Sequence, residues 1–170
     1  IYIPGLRNEL LFDDLRLKDT IFGTYGGLLE FKQRLLSYGS FVWTQQMFGE
    51  GWWKQRTVNM LLHGGVAGAL YLLTRDLLLS TKFPQPLESA PQFVASREAA
   101  VAVGIALFAV NPMAVYAVGY LVQRSIVMAT LFAVLACWFF VRGLLNQRPY
   151  WYVLALLSYL CAVHSKELAL

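Results

Sequence analysis

The sequence predicts an all-α fold: a polytopic transmembrane helical bundle with an amphipathic, interfacial first loop. Three observations predict it. Of the 170 residues, 58% are hydrophobic and only 14% charged, with a mean hydropathy of +0.52. A soluble domain is about 45–50% apolar and about 25% charged. The apolar residues gather into four segments after residue 56, and the region before them is mixed and rich in aromatics. The net charge of +4 is spread along the chain, so no basic cluster of the kind that grips nucleic acid is present.

Residues 1–56 contain seven Lys/Arg and six Asp/Glu. Nowhere do they reach the ~20 apolar residues a spanning helix requires. Within them LLEFKQRLLSYGSFVWTQQMFG places Leu28, Phe31, Leu35 and Tyr38 at the spacing of one helical face, with Glu30, Lys32, Gln33 and Arg34 elsewhere, which predicts one or two short amphipathic helices. GWWKQR follows, and Trp-Trp beside Lys and Arg suits the headgroup level of a membrane.

The first predicted span is residues 57–79, with Arg75 and Asp76 near one end, able to pair or to snorkel. A polar, proline-containing loop over 80–97 leads to a second apolar stretch, 98–122. Asn111-Pro112 interrupts it; proline lacks the amide donor and clashes with the preceding turn, so a break or kink is expected at Pro112. Residues 125–144 form a third span and 150–163 begin a fourth that runs toward 170. The connection GLLNQRP is short, which makes the last two helices antiparallel neighbours. In the first span Gly64, Gly65 and Gly68, with Ala67 and Ala69, either let another helix approach closely or present backbone to a ligand.

Cys137 and Cys161 lie in apolar runs without metal spacing and read as free thiols. The chain opens on Ile1 and ends inside an apolar run, so a fragment of a longer protein is expected. Alternation of the spans puts nine Lys/Arg on the side of residues 1–56 and five on the other. A raw count would place the first region in the cytoplasm, but the rule weights short loops, and this region is long with nearly as many acids as bases.

Polar residues near spans are informative because lipid makes them costly. Asp13-Asp14, Asn59, His63, Asn111, Gln123-Arg124-Ser125 and His164-Ser165-Lys166-Glu167 all fall on one face if the spans alternate. Each has an ordinary explanation: a helix cap for the aspartates, interhelical bonding for Asn59 and His63, headgroup anchoring for Arg124 and Lys166, a local ion pair for Glu167. Their gathering on one face points to a site. A carboxylate there can act as general base on a hydroxyl, and the cations can hold a departing phosphate. No third ligand accompanies the aspartate pair, so neither metal nor cofactor is expected, and no nucleotide loop or nucleophile motif is present.

LLFDD, RLLSYGSF, NMLLH, NPMAVYAV, QRS and SKE, in that order, resemble the N-terminal membrane region of the polytopic GT-C glycosyltransferases related to the TPR-containing protein O-mannosyltransferases and their bacterial relatives. The resemblance covers nearly the whole chain. It implies transfer of a sugar from a polyprenyl-phosphate donor to a protein or glycan acceptor. The enzyme would sit in the inner or plasma membrane, or the ER membrane, with residues 1–56 extracytoplasmic. It makes Asp13, with Asp14 close behind, the catalytic base. Arg34, Asn59 and His63 would shape the cavity, Arg124 and Lys166 would contact the lipid phosphate, and Glu167 would complete the Lys-Glu motif. Membrane lipids and a membrane-complex partner are the further partners expected. The chain departs from the family pattern at Asn111, where histidine is common, at Tyr116, where glutamate is expected, and at Leu35, where proline follows the arginine. Those departures keep a second class open: a non-catalytic GT-C-like subunit or scaffold. A flippase or transporter, the third option, lacks its expected mid-span charges.

Overall fold

The structure, a computed structural model, describes residues 6–7, 10, 12–15, 17, 25, 34–81 and 91–166. Among these the chain is helical, with no strand. The helices are α1 (Leu35–Phe48), α2 (Trp52–Ser80), α3 (Pro91–Ala109), α4 (Pro112–Gly119), α5 (Arg124–Asn146) and α6 (Pro149–Ser165), with 3-10 turns at Phe12–Leu15 and Leu121–Gln123. By length and composition three helical stretches could cross a membrane: Trp52–Ser80, Gln92–Ala109 and Leu121–Asn146. The fourth apolar segment forms a helix of only 17 residues, about 25 Å of rise, short of the ~30 Å hydrocarbon layer.

Local chemistry sets the boundaries. Arg34 is left-handed at φ 59, so no right-handed helix runs through it and α1 starts at Leu35. The amphipathic face expected from Leu28 to Tyr38 is therefore not one helix; Leu28 and Phe31 lie outside the described residues. Instead α1 buries Ser37, Gly39, Phe41, Val42 and Thr44, packing on α2, α5 and α6. Gly49, at φ 76, ends it, a conformation cheap only for glycine. The first long helix begins at Trp52, five residues before the predicted start, so GWWKQR is its opening turn rather than a separate interfacial element.

Pro91 opens α3 at a position where no amide is needed, so the last part of the predicted 80–97 loop is helical. The predicted 98–122 stretch is two helices. Pro112 offers no amide to Phe108, and Asn111 N–H takes that carbonyl instead at 3.2 Å, closing α3. At the far end of α5, Gln147 turns left-handed at φ 54 and Pro149 starts α6, folding it back along α5. Trp151 packs on Trp138 and Phe139, with centroids 6.2 and 5.8 Å away.

Arg75 and Asp76 do not pair with each other. Arg75 meets Glu98 of α3 at 3.4 Å. The Asp76 Oδ2 accepts the Trp138 indole N–H at 2.9 Å and forms an ion pair with Arg142 at 2.7 Å, joining α2 to α5. The small residues of α2 pack only in part: Gly65 faces Leu131 of α5, 3.5 Å from where its Cβ would lie, and Ala67 and Ala69 are buried. A Cβ on Gly64 or Gly68 would meet nothing within 4 Å, whereas one on Gly143 would lie 2.8 Å from the Tyr152 ring. Close approach is thus needed between α5 and α6, at a glycine the small-residue pattern did not single out.

Gly143→Ala is expected to cost about 1–3 kcal/mol through overpacking against Tyr152. Gly64→Ala, in open space on a helix, is expected to stabilise by about 0.5–1 kcal/mol. Thermal melts of the two purified variants check the opposite signs.

Candidate functional site

The site is built from a polar row on α2. Gln55, Asn59 and His63 recur every four residues and therefore share one helix face; all three are buried. Opposite them the chain is broken between α3 and α5, and breaks leave backbone carbonyls without helical partners. His63 Nε2 lies 3.2 Å from the carbonyl of Ala109, at the end of α3; an oxygen acceptor requires the proton on that nitrogen. The Asn59 amide donates to the carbonyls of Val118 and Tyr120, at 3.3 and 3.4 Å, where α4 ends. Gln55 donates to Phe41 O at 3.0 Å and so ties α1 to α2.

Arg124 occupies the centre. It has no solvent exposure. Its Nε donates to Asn59 Oδ1 at 2.6 Å, and Nη2 to the backbone and side-chain oxygens of Gln55 at 2.7 and 2.9 Å. Nη1 donates to Ser40 Oγ at 3.2 Å, and the guanidinium lies 3.8 Å over the Phe41 ring. None of these partners is a carboxylate. Burying a charge is expensive; here charge-assisted bonds to neutral oxygens and the aromatic face offset the cost without neutralising the charge. The expectation that Arg124 touches a lipid phosphate does not fit this geometry, because the guanidinium is closed off and four of its donor contacts are made within the protein.

Asp14 is 2% exposed. Its two oxygens accept the amides of Leu121 and Val122 at 3.1 and 3.0 Å, the first N–H groups of the turn that opens α5. A carboxylate at that position satisfies orphan donors and meets the positive end of the helix dipole. Asp14 thus caps a helix over a hundred residues away rather than the local turn. The Asp13 side chain lies outside the described residues, though its backbone belongs to the same 3-10 turn, Phe12–Leu15. Arg56, also buried, donates to Leu6 O at 3.1 Å. Leu10 and Leu17 pack with Phe41 and Leu121 beneath this segment.

The remaining predicted residues sit at the rim. The Ser37 hydroxyl is shared between the carbonyls of Arg34 (3.2 Å) and Ser165 (2.9 Å), which brings the backbone before α1 against the end of α6. Arg34 donates to the Tyr38 hydroxyl at 2.8 Å. Lys166, half-buried, follows directly on Ser165 in extended conformation. Glu167 lies outside the described residues. Asp14, Asn59, His63 and Arg124 are thus gathered at one end of the helices, with Arg34 and Lys166 together beside them. Among the described residues no group of three His, Cys, Asp or Glu comes together to hold a metal.

Sequence reasoning missed Gln55, Ser37 and Ser40. Gln55 was legible, since it continues the Asn59–His63 spacing by one turn. The two serines stood within the RLLSYGSF motif but were given no role there.

No protein-family model, curated protein or solved structure matches this chain. The class established is a helical protein with three helices apolar and long enough to cross a membrane.

Asp14→Asn keeps the side chain's size but replaces one acceptor with a donor facing an amide. Its expected cost is about 0.5–2 kcal/mol, the range for a lost cap. Arg124→Met strands the Asn59 and Gln55 side-chain oxygens, at about 1–3 kcal/mol for each buried acceptor. Thermal melts in detergent should rank Arg124→Met below Asp14→Asn, and Asp14→Asn below wild type.

Proposed function

We propose that this chain is part of a polytopic membrane glycosyltransferase of the GT-C kind, moving a sugar from a polyprenyl-phosphate donor to a protein or glycan acceptor on the extracytoplasmic face. The observation that carries the reading is the Asp14 cap. It holds the Asp13–Asp14 turn at the head of α5, three residues before Arg124, whose buried charge no carboxylate among the described residues neutralises.

In this reading the roles divide. Asp14, with both oxygens engaged, is a positioning residue. Asp13 is the general base that takes the proton of the acceptor hydroxyl. The acceptor oxygen then bonds to the anomeric carbon as the bond from that carbon to the phosphate oxygen breaks, and the lipid phosphate leaves with the electron pair. Arg124 acts through its field, which in a low-dielectric setting reaches beyond its own contacts. Lys166 and Arg34, at the rim, are the cations that meet the phosphate. Asn59 and His63 hold the broken stretch from α3 to α5 in place.

A second reading is favoured by the same burial. Asp14 and Arg124 both spend their hydrogen-bonding capacity on joining helices, as they would in a non-catalytic subunit of a membrane complex. A stoichiometric co-purifying complex, with full tolerance of substitution at Asp13, supports that reading.

The transferase reading predicts that Asp13→Asn melts like wild type and loses transfer by at least about 100-fold, the lower end for a general base. Transfer unchanged in this variant would sink the assignment. Native mass spectrometry with polyprenyl phosphate should show lipid retained by wild type and lost in Lys166→Ala.

A further inference from the structure

Two tyrosines beside the site present their side chains away from its hydrogen-bonded centre, to which Tyr120 contributes only its backbone carbonyl. Tyr116 is 58% exposed and Tyr120 half-buried. Their ring centroids are 4.8 Å apart, with the planes tilted by 43°. Tyr116 lies one turn after Pro112 on α4, and Tyr120, extended just past the end of the helix, is tied back to it by its amide, which donates to the Tyr116 carbonyl at 3.3 Å. Asn59 fixes that exit through the Val118 and Tyr120 carbonyls. The next two residues carry the amides that Asp14 holds. The aromatic pair is therefore anchored next to the aspartate turn.

The medium in front of it follows from the backbone. The chain is irregular on both sides of α4, and Asn111 and Pro112 are exposed. Irregular backbone is tolerated at membrane depth only where it meets water or protein, not lipid. At membrane depth the exposed face of α4 would accordingly meet water or protein rather than lipid. An aromatic pair that includes an exposed ring, with phenolic hydroxyls at its edges, fits a ligand that has an apolar C–H face and a hydroxyl rim. A pyranose ring has both.

We propose that Tyr116 and Tyr120 form a stacking platform for a pyranose ring, carried by the lipid-linked donor or by a glycan acceptor. The inference rests on the transferase reading, and it concerns the sugar rather than the base or the phosphate. It also gives Tyr116 a use that a glutamate at the same position would not supply.

The test measures binding to the full chain in phosphatidylcholine nanodiscs, for wild type, Tyr116→Ala and Tyr116→Phe. The probes are polyprenyl phosphate, the same lipid carrying a hexose, and soluble hexose oligosaccharides. Tyr116→Ala is expected to bind the bare lipid phosphate like wild type and to lose about fivefold in affinity for the sugar-bearing probe. Tyr116→Phe, which keeps the ring, is expected to stay within about twofold of wild type. Loss with the hexose lipid names the donor as the source, and loss with the oligosaccharide names the acceptor. Three results overturn the platform: unchanged sugar affinity in Tyr116→Ala, an equal loss for bare and sugar-bearing lipid, which marks a headgroup anchor, or no sugar bound by wild type. Failure of wild type to bind either lipid sinks the transferase reading alone; the oligosaccharide arm still decides the platform.

Discussion

The constraint on which the rest depends is a buried guanidinium that meets no carboxylate among the described residues. Arg124 sits at the first position of α5, where the helix dipole is unfavourable to a cation. Neutral oxygens from α1 and α2 surround it, and Phe41 covers one face of the guanidinium. Those contacts fix three helices relative to one another, because a guanidinium binds in a rigid planar fork. Asp14 then supplies the negative charge that the helix end favours, using backbone amides rather than the arginine itself. Charge, cap and ring form one unit in which each part offsets a cost created by another.

Around that unit, the broken stretch between α3 and α5 becomes affordable. A proline after Asn111 frees carbonyls that water would satisfy at a surface and that must be satisfied internally when buried. The polar row on α2 performs this, with Asn59 and His63 reaching the end of α4 and the end of α3. Polar residues that look costly in an apolar helix are thus the partners of a defect elsewhere in the chain.

Much of this was legible in the sequence, and the reasons are local. Pro112 and Pro149 mark breaks that their missing amides enforce, and apolar length marks the long helices. The convergence of Asn59, His63 and Arg124 follows from connectivity once the helices alternate. What the sequence could not show is direction. Nothing in a one-letter string says that Arg124 points inward to Asn59 rather than outward to a headgroup, or that Asp14 caps a helix 107 residues away. The small-residue motif held only in part for the same reason: Gly65 faces Leu131 and Ala67 and Ala69 are buried, Gly64 and Gly68 face open space, and the tightest contact is at Gly143. The left-handed Arg34 escaped because that conformation is uncommon in residues other than glycine.

The Asp76–Arg142 pair at the opposite end has a consequence of its own. Between Arg124 and Arg142, α5 carries no charged residue and rises about 27 Å. Each end of that interval is bonded to α2, at Asn59 and at Asp76. The two helices are therefore pinned like the rails of a ladder, unable to slide or rotate independently. The uncharged interval of α5 matches a bilayer at the thin end of the biological range, about 27 Å. Spanning a thicker membrane, the pinned pair would have to tilt as one body or draw the lipids inward, and bilayer thickness would then act as a mechanical load on the α4 break.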